Sequence, residues 1–430
     1  MNAILLIAAL ISGVLISLLI PEAGAPAILY CSILTIGCLI VIKSLDDNPF
    51  LTQLFMGALL IRVLLASLLF VLQVDSFFGP DIPIFDEIGY ATLQVWKGNL
   101  YFKEIARDFL SINGSPWGMI YMVAGIYGIL GRNLLAVQFT NAVLGAATVP
   151  LVYLCAYHIF GNIRVARLAA IIVAFYPSLV LWSSIAMKDA PIVFMLVMAM
   201  YATLKLGEKL RVKYLLVLAG ALIGILSFRF YIFYMLIAAI GGAFVIGMRE
   251  VTIQSFARQI VIVLCLGLAM TYWGVFRTAS TQLDAYANLE AVQRSRNYLA
   301  NTAQSGFAEN EDVSTVSGAA RALPKGFIYL LFAPFPWQLG SLRQSITLPE
   351  MCLWYALFPL FILGVWFTIR FRLRQALPIL LFTSLLTFAY ALTQGNVGTA
   401  YRQRAQLLVF YFIFAAVGAV LLNERREDKR

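Results

Sequence analysis

Two adjacent carboxylates, Asp86 and Glu87 in FDEIGY (85–90), follow an apolar run and a Gly79-Pro80 turn. A third acid, Asp189, comes after Lys188 in WSSIAMKDAP (182–191); Arg229 stands in SFRFYIFY (227–234), and Arg402 and Arg404 in NVGTAYRQR (396–404). A carboxylate placed beside a hydroxyl can accept its proton as the hydroxyl attacks. The planar fork of an arginine can hold two phosphate oxygens at once and stabilise charge on a departing phosphate. The chain has a single histidine, His158. A histidine metal cluster or a Ser-His-Asp arrangement is therefore not expected, and acid–base work falls to carboxylates. A carboxylate pair without histidine can take Mg2+ or Mn2+ through oxygen ligands or act without a metal, so no cofactor is certain.

The elements that must position these groups are membrane helices. The 430 residues are 62% hydrophobic and only 12% charged, with a mean hydropathy of +0.87. This excludes a soluble enzyme. Runs such as 4–20 are almost continuously apolar, which excludes a transmembrane barrel of short alternating strands. Apolar length and stop signals predict an all-α, polytopic protein of about twelve spans. They fall near 2–20, 27–43, 51–74, 134–160, 165–185, 190–206, 213–228, 230–248, 258–276, 350–369, 376–393 and 405–422. The first run lacks a basic flank and a clear cleavage site, and reads as a retained span. The five cysteines form no Cys-x-x-Cys pair, which supports neither a disulfide framework nor a zinc site.

The net charge of +10 reads as topology and lipid headgroups rather than nucleic acid. Arg164, Arg167, Lys205, Lys209, Arg211, Lys213, Arg249, Arg258, Arg370, Arg372, Arg374 and the tail from Arg425 fall in connections on one side. The positive-inside rule makes that side, and both termini, cytoplasmic. Two long connections, 75–133 and 277–349, then emerge on the opposite face, where long loops carry function. In the first, 86–96 and 101–110 are expected to form short amphipathic helices broken at Gly98-Asn99, with 117–130 an interfacial or half-inserted helix. In the second, 278–317 is polar. FIYLLFAPFPWQL (327–339), with Pro324, Pro334 and Pro336 in or near it, reads as a stretch along the outer surface or re-entering it.

Charge at bilayer depth is costly, so the ionisable groups at outer span ends are the informative ones. Lys188, Arg229, Arg321, Lys325, Arg343, Arg402 and Arg404 run against the positive-inside trend, and a phosphate or pyrophosphate on a lipid tail is the natural counter-charge. Arg62, near the middle of a span, is read as buried against another helix or snorkelling toward the cytoplasm. Tyr90, Trp96, Trp117, Trp182 and Trp337 read first as an interfacial aromatic belt.

The acidic pair with its aromatic, Asp86-Glu87-x-x-Tyr90, is followed by LLAVQFTNAVLGAATVPLVYLCAYHIFG (134–161) and ARLAAIIVAFYPSLVLWSSIAMKDAPIVF (166–194). Together they resemble the GT-C membrane glycosyltransferases, among them the protein O-mannosyltransferases and the aminoarabinose transferase of lipid A. The resemblance covers about 75–230 and returns at Tyr401-Arg-Gln-Arg404. It implies transfer of a sugar from a polyprenyl-phosphate carrier to a hydroxyl of a glycan, lipid or protein at the extracytoplasmic face. Asp86 matches the family's base and Glu87 its neighbour. Asp189 resembles a second acid that orients acceptor or metal, and Tyr90, Lys188, Arg229, Arg402 and Arg404 are the expected substrate-binding residues. The chain departs from the family at Met187-Lys188, where Arg or His is common, and at Gly114-Ser115-Pro116-Trp117, where a His-Pro-Pro or Lys-Pro-Pro is common.

The expected organisation is two accessory N-terminal helices (1–50), a GT-C-like core (51–276) with its outer loop 75–133, a second outer loop (277–349), and C-terminal helices with a basic tail (350–430). The expected partners are the lipid-linked donor, the acceptor and the bilayer, and the expected location is a bacterial inner membrane. A polymerase or ligase using polyprenyl pyrophosphate, or a flippase for a lipid-linked sugar, are the competing readings. The concentration of charge at outer span ends and the absence of a visible repeat weigh against transport.

Overall fold

The structure, a computed structural model, describes residues 3–111, 116–246, 288–301, 305–307 and 311–427. The expected span 258–276, with Arg249, Arg258, Gly114, Ser115 and the last three tail residues, lies outside the described residues. No strand occurs among the described residues; one isolated bridge pairs Gly306 with Asn396. The helices are α1 (Ala3–Leu19), α2 (Gly24–Leu45), α3 (Pro49–Val71), α4 (Asp75–Phe78), α5 (Ile82–Trp96), α6 (Lys103–Leu110), α7 (Trp117–Leu130), α8 (Leu134–Phe160), α9 (Ile163–Phe175), α10 (Pro177–Ser183), α11 (Asp189–Glu208), α12 (Val212–Phe228) and α13 (Phe230–Ile246). After the undescribed stretch come α14 (Leu289–Asn301), α15 (Val316–Phe332), α16 (Leu342–Phe371), α17 (Leu373–Thr393) and α18 (Val397–Glu427).

Seven of these, α2, α3, α8, α11, α16, α17 and α18, are long and apolar enough to cross a membrane, and the bent pair α9–α10 makes an eighth if it is one span. α1, α7, α12 and α13 are apolar but shorter, below the roughly 20 residues of a full straight crossing. Three expectations are corrected. The span expected at 165–185 is broken by 56° between α9 and α10, because Pro177 has no N–H to donate and forces Tyr176 into an extended conformation. The helix that carries the span expected at 350–369 begins earlier, at Leu342, where the Ser341 side chain accepts from the Gln344 N–H and caps the helix. The helix expected at 86–96 starts at Ile82, with Pro83 in its first turn, a position where the missing N–H costs nothing.

The chain divides into two compact units, 1–157 with 162–198 and 223–230, and 158–161 with 199–222 and 231–430. In the first, α1 turns back into α2 where Gly24 lies against the Ile16 carbonyl, and α5 lies on α7 where Gly89 meets Val123. A side chain at either glycine would have no room. The break between α9 and α10 frees backbone carbonyls in an apolar setting, and Arg62 of α3 covers them. Its guanidinium donates to the carbonyls of Ala58 (2.8 Å), Ala174 (2.8 Å) and Val173 (3.4 Å) and to Ser183 Oγ (2.8 Å). Of the two alternatives for Arg62, burial against another helix is the one realised, at 1% exposure.

In the second unit, α16 and α18 cross closely at Gly364 and Gly418. A Cβ on the first would meet the Phe414 carbonyl, and on the second the Leu360 carbonyl, the small-residue contact through which membrane helices bring their backbones together.

Replacing Arg62 with Met should lower stability by about 2–4 kcal/mol, because several buried carbonyls lose their donor at once. Arg62→Lys should recover only part, since one ammonium cannot reproduce the fork. Thermal unfolding in detergent measures both; an unchanged midpoint for the Met variant would show that the break is satisfied without Arg62.

Candidate active site

The ionisable and amide groups of the first unit gather where α3 ends, α8 begins, α10 gives way to α11, and α12 meets α13. Its scaffold is the amide-bearing first half of α8. Asn133 accepts from the Ala136 N–H (3.1 Å), capping the helix, and donates to the Ala23 carbonyl (2.9 Å). One turn further, Gln138 Nε2 donates to Asp75 Oδ1 (2.8 Å). Asn141 Nδ2 donates to the carbonyls of Ile185 and Met187, both at 2.7 Å, and so fixes the non-helical link that presents Lys188 and Asp189. An amide that is fully buried must find partners, and here the partners are the loops that carry the charged residues.

Asp86 lies on α5, half-buried. The Tyr127 hydroxyl, from α7, donates to Oδ1 at 2.5 Å. Arg132, in the short link between α7 and α8, donates from Nε to Oδ1 (3.2 Å) and from its terminal nitrogen to Oδ2 (2.6 Å). Both carboxylate oxygens are thus engaged by one fork. Tyr90, one helical turn along α5, lies under the same guanidinium at 4.8 Å, a cation–π contact. Glu87 is exposed beside Asp86.

Asp189 is the first residue of α11, where the helix N-terminus favours negative charge. It is 1% exposed and meets Arg229 at 3.2 Å; Arg229 is buried as well, at the break between α12 and α13. Lys188 extends over the ring of Phe85 at 6.0 Å, next in sequence to Asp86.

The predicted site residues therefore fall into groups. Asp86 and Tyr90 share Arg132; Asp189 and Arg229 pair with each other; Lys188 reaches α5. Arg402 and Arg404 belong to the second unit. The Arg404 guanidinium is buried, donating to the carbonyls of Leu331 (2.6 Å) and Ala333 (2.9 Å) at the end of α15 and lying 5.1 Å from the Tyr401 ring. Tyr401 in turn donates to Glu350 Oε2 at 2.6 Å. These bonds make Arg404 a staple for the α15 terminus. Tyr127 and Arg132 were not among the residues singled out from the sequence. Arg132 is a basic residue in the 75–133 loop, so the argument that selected Lys188 and Arg229 would have selected it too; Tyr127, inside an apolar helix, carries no such signal. Among the described residues no three His, Cys, Asp or Glu side chains gather to hold a metal ion.

Asp75, just beyond α3, is held by burial at a pKa raised to about 6, with the Gln138 bond opposing the rise. A carboxyl raised on folding adds stability below its ordinary value near 3.8 and loses that contribution as pH climbs through about 6. Asp75→Asn keeps an acceptor for Gln138 and has no charge to bury. Its Tm should match the wild type near pH 4 and exceed it by about 2–4 °C above pH 6.5; parallel curves across that range would count against the burial. Asp189→Asn takes from buried Arg229 its carboxylate and should cost about 3–5 kcal/mol, while Asp189→Asn with Arg229→Met should regain part of it, since no charge is then left behind. Thermal melts of the single and double variants decide; a neutral single variant would remove the pair from the architecture.

Residues 115–273 match the family model described as dolichyl-phosphate-mannose-protein mannosyltransferase, a family of the GT-C superfamily of membrane glycosyltransferases. No curated protein matches the chain. The matched stretch contains Tyr127, Arg132, Lys188, Asp189 and Arg229, while Asp86, Glu87 and Tyr90 precede it and Arg402 and Arg404 follow it. Over that stretch, which is less than half of its length, the chain is similar to membrane glycosyltransferases of the GT-C type, and several of its helices are long and apolar enough to cross a membrane.

Proposed function

We propose that the chain moves a sugar from a polyprenyl-phosphate carrier to a hydroxyl on a glycan, lipid or protein at the extracytoplasmic face of a bacterial inner membrane. The carrier follows from the dolichyl-phosphate-mannose named in the matched family and from the cations near Asp86. The face follows from the charge pattern of the connections. Arg164 and Arg167 lie at the end of α8 remote from Asp86, as the positive-inside rule asks of a cytoplasmic turn. The observation that carries the reading is the Asp86 carboxylate, held by Tyr127 just past a membrane span and faced by an arginine fork.

Asp86 is the general base. The acceptor oxygen forms a bond to the anomeric carbon as the bond from that carbon to the phosphate oxygen breaks. The hydroxyl proton passes to Asp86, and the electron pair leaves with polyprenyl phosphate. A phosphate leaves without a strong general acid, but it benefits from positive charge close by. Lys188 supplies such charge from the link before α11, and the Asp189–Arg229 pair holds that link to the end of α12. Tyr127 keeps Asp86 in place through a bond that does not compete for the incoming proton's site on Oδ2.

Purified protein in nanodiscs, offered a panel of polyprenyl-phosphate sugars and scored for released polyprenyl phosphate, tests this. Asp86→Asn should lower release at least about 100-fold with its melting profile retained. Full activity in that variant would remove Asp86 as the base. Tight carrier binding with no release from any donor would favour an oligosaccharide-pyrophosphate substrate or transport.

A further inference from the structure

Arg132 is doubly suited to an exchange of partners. Its fork closes on both oxygens of Asp86, so the oxygen that would take an incoming proton is already occupied by a charge-assisted bond. The same spacing of N–H groups matches two oxygens of a phosphate. The side chain is 46% exposed while that of Asp86 is 22% exposed, so an anion can approach the guanidinium from solvent without displacing protein. The link that carries it begins at Gly131, whose φ of +78° is a conformation that glycine alone adopts at no cost. Tyr90 lies beneath the guanidinium plane and holds it flat for either partner. Asp86 has a second, independent tether in Tyr127, so it keeps its position when Arg132 leaves.

We propose that Arg132 is shared between Asp86 and the phosphate of the lipid carrier. Without carrier, the fork clamps the base; when the carrier binds, its phosphate takes the fork, and Asp86 is released toward the acceptor hydroxyl. Base activation is thereby tied to the presence of donor, which keeps Asp86 from taking a proton from water or from an acceptor that arrives first. No bond is made or broken in this step; two N–H donors change from carboxylate to phosphate oxygens. The inference rests on the lipid-phosphate donor proposed above and adds to it a residue and an order of events.

Competition for one arginine has a signature that turnover is not needed to read. Binding of geranyl phosphate, with geraniol as the tail-only control, is measured by titration calorimetry on the whole protein in nanodiscs. Asp86→Asn should bind the phosphate about tenfold more tightly than the wild type, since the fork is no longer held by a carboxylate. Arg132→Gln should bind it at least about tenfold more weakly. In the double variant the gain from Asp86→Asn should vanish. Glu87→Gln, which removes a neighbouring negative charge that Arg132 does not hold, should give a smaller gain that survives in the Arg132→Gln background.

A purely structural ion pair would instead lower Tm in both single variants and leave affinity unchanged. Wild-type affinity in Arg132→Gln, no gain in Asp86→Asn, or an equal gain with and without Arg132 would each overturn the exchange while leaving the donor reading intact. Failure of all forms to bind geranyl phosphate above geraniol would overturn the donor reading, and the exchange with it.

Discussion

A backbone carbonyl in hydrocarbon must find a donor, and α10 is a seven-residue helix with a break at each end. At its start, Pro177 cannot bond back into α9, and the carbonyls of Val173 and Ala174 are taken by Arg62. At its end, the carbonyls of Ile185 and Met187 are taken by Asn141. Ser183, inside α10, accepts from Arg62 as well. Two side chains from α3 and α8 thus make a broken helix tolerable, and the residues that follow the second break are Lys188 and Asp189. A regular span from 165 to 185 would have carried these two further along an ordinary helix axis. The break, together with the donors that satisfy it, is what presents them at the end of the unit where Asp86 lies.

Two carboxylates at that end have different surroundings. Asp189 is sealed against Arg229 at the start of a helix and is 1% exposed. Asp86 is engaged by Tyr127 of α7 and by Arg132, which follows Gly131 and is half open to solvent. Burial and pairing fasten the first between α11 and the end of α12; the second stays partly open to solvent. The arginines divide in the same way. Arg62, Arg229 and Arg404 are buried and committed to carbonyls or a carboxylate, whereas Arg132, which holds the Asp86 carboxylate, is half exposed.

The second unit uses polar groups chiefly to hold its own helix ends. Arg296 of α14 donates to Glu311 at 2.6 Å and to the Leu392 carbonyl at 3.1 Å, and Lys325 meets Glu311 at 2.9 Å. The segment at 305–307 pairs with 395–397 through backbone bonds from Phe307 to Gly395 and from Val397 to Ser305. Phe307 stacks on Tyr329 at 4.2 Å, and Tyr329 meets Phe335 edge-on. These contacts order the prolines and aromatics of 327–339, which by their composition alone read as a stretch along the outer surface or re-entering it.

The sequence by itself determined that the chain is helical and membrane-embedded, and which ionisable residues lie at span ends. Hydropathy and the cost of burying charge act locally, so a run of twenty apolar residues, or an Asp just beyond one, keeps its meaning wherever the helix packs. It also carried the family resemblance that the match over 115–273 supports. Only the tertiary structure decided which of these residues meet. Asp86 and Arg132, or Asp189 and Arg229, are each about forty residues apart in the chain, and their pairing depends on how α5, α7, α8, α11 and α12 come together. The same packing made Arg404 a staple and Arg62 the cover of a broken helix, because an arginine's role is set by the acceptors within reach of its fork, and those belong to other helices.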